Sequence, residues 1–242
     1  MEKAVETYDG HAALAAVPDP MRETLTPISP ILQNAQIEVT IDANGNFISA
    51  AAVVMDKKSE RDESKTIIPA TYKSSIRAKS PCAHPLSDKL SYLIPSSTER
   101  HDLYLKQLSD WANSEYSHPK VMAVLKYIES ESLLDDLERN GLVTKDSNGE
   151  LDARYDDDFV RWRVTGDGAV APCWEDKSLI EAFIAYSEML RDGSDSALCM
   201  ITGEVLPIIE KHPKGVVSAA YGAKLISAND SSNFTYRGRF AE

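Results

Sequence analysis

The sequence predicts an α+β fold, a helical middle with β-hairpins and short mixed strands on either side. Residues 37–54, IEVTIDANGNFISAAAVV, alternate apolar and polar side chains and contain Asn44-Gly45, a pair tolerant of positive φ; this is a hairpin pattern. Residues 99–137 and 179–189 carry apolar residues at helical spacing. Residues 199–240 return to short segments punctuated by glycine, with few helical stripes. Helices and hairpins in separate runs define the class. Residues 1–30 are expected to form a lead-in, and residues 31–242 one α+β domain.

The lead-in contains Pro18, Pro20, Pro27 and Pro30, which suit a short helix followed by an extended, kinked chain. After the 37–54 hairpin comes a charged loop, DKKSERDESK. Thr66–Ala70, TIIPA, predicts a short strand stopped by Pro69. Residues 71–81, rich in serine and closed by Pro81, predict a loop rather than a helix. Ser96 and Glu99 match a capping box ahead of a stripe at Leu105, Leu108, Trp111 and Ala112. Pro119 suits a first helical turn, with Val121, Val124, Leu125 and Ile128 on one face. Leu133, Leu134 and Leu137 lead to Asn140-Gly141, a helix stop. Residues 142–164 predict strands around Asn148-Gly149. Leu179, Ile180, Phe183, Ile184 and Met189 mark a last long helix, ended by Gly193.

With 242 residues, 43% hydrophobic and 26% charged, the chain has the composition of an ordinary globular protein. No apolar run approaches the roughly 20 residues of a membrane span, and the acidic N-terminus is not expected to act as a signal peptide. Three well-separated cysteines, Cys82, Cys173 and Cys199, fit reduced thiols in the cytoplasm. No nucleophile elbow, phosphate loop or dinucleotide fingerprint is present. Cys82-x-His84 and the Cys199, His212 pair are each half of a zinc pattern, and structural zinc needs closely paired ligands. Residues 129–158 hold eleven acids against three bases. Asp156–Asp158 could in principle gather a metal, but adjacent side chains diverge, and a solvated face is expected. The residues leave an enzyme open without selecting one, and no cofactor is expected.

Charge is unevenly placed. The net charge is −12, yet residues 211–242 carry five bases (Lys211, Lys214, Lys224, Arg237, Arg239) against Asp230 and Glu242. A second island, residues 65–79, has Lys65, Lys73, Arg77 and Lys79 and no acid. Bases beside Ser, Asn and Gly suit phosphate contacts, and Tyr236-Arg237-Gly238-Arg239-Phe240 offers planar groups to bases. The plain counterpart is a set of solvated charges. Candidate nucleic-acid contacts are Lys73, Arg77 and Lys79, then Lys214, Lys224, Asn229, Arg237 and Arg239.

Eight phrases then carry a resemblance: TIIPATYKSS (66–75), AHPLSDKLSYL (83–93), WANSEYSHPKV (111–121), VRWRV (160–164), CMITGE (199–204), HPKG (212–215), YGAKLISAND (221–230) and FTYRGRF (234–240). In this order, from about residue 37 onward, they resemble the N-terminal part of the large subunit of the CRISPR type I-C Cascade complex. Where that family commonly reads R-T-S-G, this chain has Arg77-Ala78-Lys79-Ser80, losing a glycine and gaining a base. The family's large subunit is about twice this length, so the chain is expected to correspond to its N-terminal domain, without the C-terminal helical region. The resemblance implies a subunit that inspects a protospacer-adjacent motif in duplex DNA, helps open the helix, and presents the complex to a helicase–nuclease, while guide pairing reads the remaining sequence. Implied partners are the backbone and handle-binding Cascade subunits, guide RNA, target double-stranded DNA and the helicase–nuclease, with no membrane. Two alternatives stand beside it: an assembly module docked on the guide handle and a neighbouring subunit, and a metal nuclease using Asp156–Asp158.

Overall fold

The computed structural model describes residues 30–54, 64–77, 80–96, 98–166, 171–191, 196–198 and 203–208. Its strands are β1 (Ile31–Asn34), β2 (Ile37–Asp42), β3 (Phe47–Ala52), β4 (Lys65–Ile68), β5 (Val160–Thr165), β6 (Ser196–Leu198) and β7 (Val205–Pro207). Its helices are α1 (Tyr72–Ser75), α2 (Leu90–Leu93), α3 (Arg100–Ala112), α4 (Pro119–Glu129), α5 (Leu133–Arg139) and α6 (Lys177–Met189), with a 3₁₀ turn at Ala153–Tyr155. This is the α+β arrangement expected.

Residues 29–187 form one compact unit, and residues 1–28 with 188–242 group as the other. Within the first, β2 and β3 form the predicted hairpin, turning through Gly45 at φ 83°. Asp42 fixes that turn: its carboxylate accepts the backbone N–H groups of Asn44 and Asn46, each at 2.8 Å. On its other side β2 pairs with β5 in parallel, Ile37 against Val160 and Thr40 against Arg163. The sheet order is β3-β2-β5, and β1 pairs with β4 in a separate antiparallel ribbon. The second unit contributes the antiparallel β6–β7 pair among the described residues.

Alternation decides which way the sheet faces. Ile37, Val39 and Ile41 on β2, and Val160, Trp162 and Val164 on β5, are all buried. Against that face pack Tyr104, Leu108 and Trp111 of α3, and Val121, Val124, Leu125 and Ile128 of α4. Trp111 meets Phe183 of α6 edge-on, ring centroids 5.2 Å apart. Burying such aromatic groups contributes about 1.5–3 kcal/mol each. The stripe on α3 also takes in His101, while Leu105 is only partly buried.

Three local expectations are corrected. Residues 72–75 are helical because the Thr71 hydroxyl caps the turn, accepting Ser74 N–H at 3.2 Å. The capping box before α3 does not form. Ser96 Oγ instead meets Thr98 Oγ1 at 2.9 Å, and Glu99 caps α3 without a side-chain bond. Around Asn148-Gly149 the strands reduce to a single bridge, Lys145 with Leu151, because Asp146 takes the Asn148 and Glu150 N–H groups into a local turn. The cysteine expected to pack, Cys173, is buried, and burial pushes its thiol up to about 12. Gly193 and most of residues 199–240 lie outside the described residues. Among the described residues no helix is long and apolar enough to cross a membrane.

Candidate nucleic-acid interface

The described part of the first basic island is a strand, a buried link over residues 69–71 and one helical turn. Lys65 opens β4 opposite Asn34 and is exposed. Pro69 follows the end of β4, and the Thr71 cap starts α1. That turn puts Lys73 outward and Ser74 inward: Lys73 is exposed, Ser74 buried. Ser74 Oγ lies 3.2 Å from Thr71 O and 2.9 Å from His84 Nδ1. Burial pushes His84 down to about 4, so the imidazole is neutral near pH 7. Gln107 on α3 donates to Thr71 Oγ1 at 3.4 Å, tying the turn to the helical layer.

Arg77 leaves this turn toward the interior. Its Nη1 donates to Asp88 Oδ2 at 2.7 Å and to Cys82 O at 2.8 Å; its Nη2 donates to Asp88 Oδ1 at 2.6 Å. The guanidinium also stands over the Tyr92 ring, 4.8 Å from its centroid. Asp88 accepts the backbone N–H groups of His84 (2.7 Å) and Lys89 (2.8 Å) as well, so a buried anion meets four N–H donors. The picture of Arg77 as a free cation in an acid-free loop is therefore corrected. The acid-free window ends at Lys79, and Asp88 enters it from the next segment. Two residues before Asp88, Leu86 O accepts both Tyr104 Oη (2.6 Å) and Trp162 Nε1 (2.9 Å). This locks the 83–88 loop to α3 and β5.

Lys73 is thus the exposed base on a firmly held turn. Of the other expected contacts, Lys79, Lys214, Lys224, Asn229, Arg237 and Arg239 lie outside the described residues.

A second charged surface covers the outward side of the three-stranded sheet. Glu38 on β2 holds Arg161 and Arg163 of β5, at 2.7 Å to Arg161 Nη2 and 2.7 Å to Arg163 Nε. Trp174 lies against both guanidinium groups. The readable signal was the Arg-x-Arg period of VRWRV, which puts both bases on one strand face. The Trp174 packing is a tertiary fact.

The acidic stretch is spread among separate tasks. Lys145 bridges Asp135 (2.5 Å) and Glu138 (3.0 Å). Asp136 accepts Tyr127 Oη and Arg139 Nη1. Asp157 pairs with Lys89 at 2.6 Å, while Asp156 and Asp158 offer backbone carbonyls to Ser91 and Leu90. Burial raises the Asp158 carboxyl, and the neighbouring Asp157 adds to it. Among the described residues no three His, Cys, Asp or Glu side chains converge on a possible metal position. A cleft of about 270 Å³ lies here, lined in part by Leu90, Ile94, Arg100, Asp146, Glu150 and Asp156. Three carboxylates against one guanidinium repel a phosphate.

Comparison with known families supplies what the fold cannot. The family model for the CRISPR-associated protein (Cas_Csd1) matches residues 6–242, so the chain is a CRISPR-associated protein. It belongs to the Cas_Csd1 family, as its ordered phrases imply. No curated protein matches it.

Proposed function

We propose that the chain is a non-enzymatic, nucleic-acid-binding subunit of a CRISPR type I-C Cascade surveillance complex. It reads the protospacer-adjacent motif in duplex DNA, supports R-loop formation and helps bring in the helicase–nuclease. Guide RNA, the backbone and handle-binding subunits and target duplex are its partners, and it acts in the cytoplasm. Lys73 and Lys79 contact the motif-proximal duplex, with Arg77 holding the Lys73 turn through Asp88. Lys214, Lys224, Asn229, Arg237 and Arg239 face phosphate of the target or of the guide handle.

The observation carrying this reading is Lys73. Membership of a CRISPR-associated family supports a nucleic-acid partner, and Lys73 stands exposed on a turn anchored through Thr71, Ser74 and the Arg77–Asp88 pair. A cation on a rigid support meets a groove with little ordering cost. The acidic remainder suits a scanner, since a uniformly basic protein holds any DNA tightly.

The test uses complexes reconstituted with the full chain and guide RNA, carrying Lys73→Ala, Lys79→Ala or both. Binding is measured on motif-bearing and motif-scrambled duplexes across a salt series. A phosphate contact lowers the salt slope by about one, and a base-edge contact costs about 1–3 kcal/mol and relaxes motif preference. Unchanged slope and unchanged discrimination in an intact complex reject the assignment. Loss of assembly with discrimination intact favours the assembly-module reading.

A further inference from the structure

On the outward face of the sheet one carboxylate serves two arginines. Glu38 Oε2 accepts from Arg161 Nε (3.0 Å) and Nη2 (2.7 Å), and Oε1 accepts from Arg163 Nε (2.7 Å). Both guanidinium groups lie over Trp174, Arg161 at 4.0 Å from the ring centroid and Arg163 at 5.3 Å. The accessible one is Arg163: its side chain is 38% exposed, that of Arg161 10%.

Arg163 is gripped from one end. Glu38 takes Nε, the indole stands beside the plane, and the Nη1 and Nη2 groups meet no protein acceptor among the described residues. That terminal edge is the part of a guanidinium that grips a phosphate through two parallel bonds. Its rotamer is already fixed, so binding orders little further.

The register extends the site. Arg163 pairs with Thr40, and Thr40 pairs with Ser49. Neighbours in register share a face, and Val39 and Ile41 point into the core, so Thr40 points outward. Strands lie about 4.8 Å apart. A hydroxyl, a second hydroxyl and a guanidinium edge therefore form a row about 10 Å across. Ala51, opposite Glu38, is exposed and leaves the approach open.

We propose that Arg163, with Thr40 and Ser49, forms a phosphodiester-binding row for a nucleic-acid strand, separate in its residues from the Lys73 turn. The inference rests on the proposed function for its ligand class. Sequence-independent backbone binding is the expected behaviour, because no base edge is needed for this geometry.

Complexes reconstituted with the full chain and guide RNA test it, carrying Arg163→Ala, Arg163→Lys or Ser49→Lys. Affinity is measured between about 50 and about 200 mM salt on motif-bearing and motif-free duplexes of equal length. Arg163→Ala is expected to lower the salt slope by about one on both duplexes. Arg163→Lys keeps the slope but weakens binding through loss of the fork. Ser49→Lys, at an exposed position, raises the slope by about one. Parental slopes for Arg163→Ala and Ser49→Lys in an assembled complex overturn the inference. So does loss of a protein subunit with parental slopes, which assigns the guanidinium to a partner's carboxylate. If Lys73→Ala alters binding in the same assay while these variants do not, this inference fails and the proposed function stands. A parental chain that enters no such complex overturns both.

Discussion

Arg77 and Asp88 form a bidentate ion pair in which the carboxylate side chain is wholly inaccessible to solvent. The pair closes the turn that displays Lys73, so a stability defect and a binding defect can be told apart by position. Asp88→Ala removes the acceptor of Arg77 and of the His84 and Lys89 N–H groups. It is expected to cost about 3–5 kcal/mol, the range for breaking one side of a buried pair. Lys73→Ala is expected to stay within about 0.5 kcal/mol of the parent. Urea denaturation of the two variants checks the contrast.

His84 gives the fold a pH dependence. Burial lowers it from 6.5 to about 4, so between those values the unfolded chain binds a proton that the folded chain does not. Its contribution is complete above about pH 6.5 and is lost as the pH falls toward 4, on the order of 3 kcal/mol in all. Urea midpoints at pH 7.5 and pH 5 should differ in the parent and converge in His84→Gln. Equal slopes in the two proteins would assign the effect to another group.

Gly45 is tightly confined as well as left-handed. At φ 83°, an added Cβ would lie 2.8 Å from Ala123 O and 2.9 Å from Lys126 Cβ. Backbone of α4 cannot step aside cheaply. Gly45→Ala is expected to cost at least about 2 kcal/mol, combining left-handed strain of about 1 kcal/mol with the clash. A fall in Tm with unchanged helical circular dichroism below the transition is the expected signature.

Glu131 offers the opposite change. It follows the end of α4 at φ 53°, donating its N–H to Ile128 O at 3.0 Å. This is the left-handed position that glycine fills at many helix ends. Glu131→Gly is expected to add about 0.5–1 kcal/mol, the relief of strain exceeding the entropy cost of glycine. A lower urea midpoint than the parent would refute it.

What the sequence revealed was mainly local. Asn44-Gly45, Pro119 and Asn140-Gly141 each fix backbone geometry within a few residues, and the turn, the helix start and the helix stop all stand where expected. The stripe Val121, Val124, Leu125 and Ile128 is buried throughout. Ser96 misled because its hydroxyl has a nearer partner in Thr98. Arg77 misled because its neutralising acid is eleven residues away, beyond a window that counts local charge. The Glu38–Arg163 contact spans 125 residues and depends on a parallel pairing that no local pattern encodes. Lys73 was legible as an exposed base, whereas the reason for its rigid support was not.

The parallel pairing of β2 with β5 has a temporal cost. A contact across 123 residues cannot form until the later segment has left the ribosome. At about 5–20 residues per second, the early hairpin waits roughly 6–25 s with one flank unpaired. Its exposed row of Ile37, Val39 and Ile41 is sticky during that interval. Yield of folded protein should therefore respond to translation speed and chaperone supply more than to the final stability of the domain.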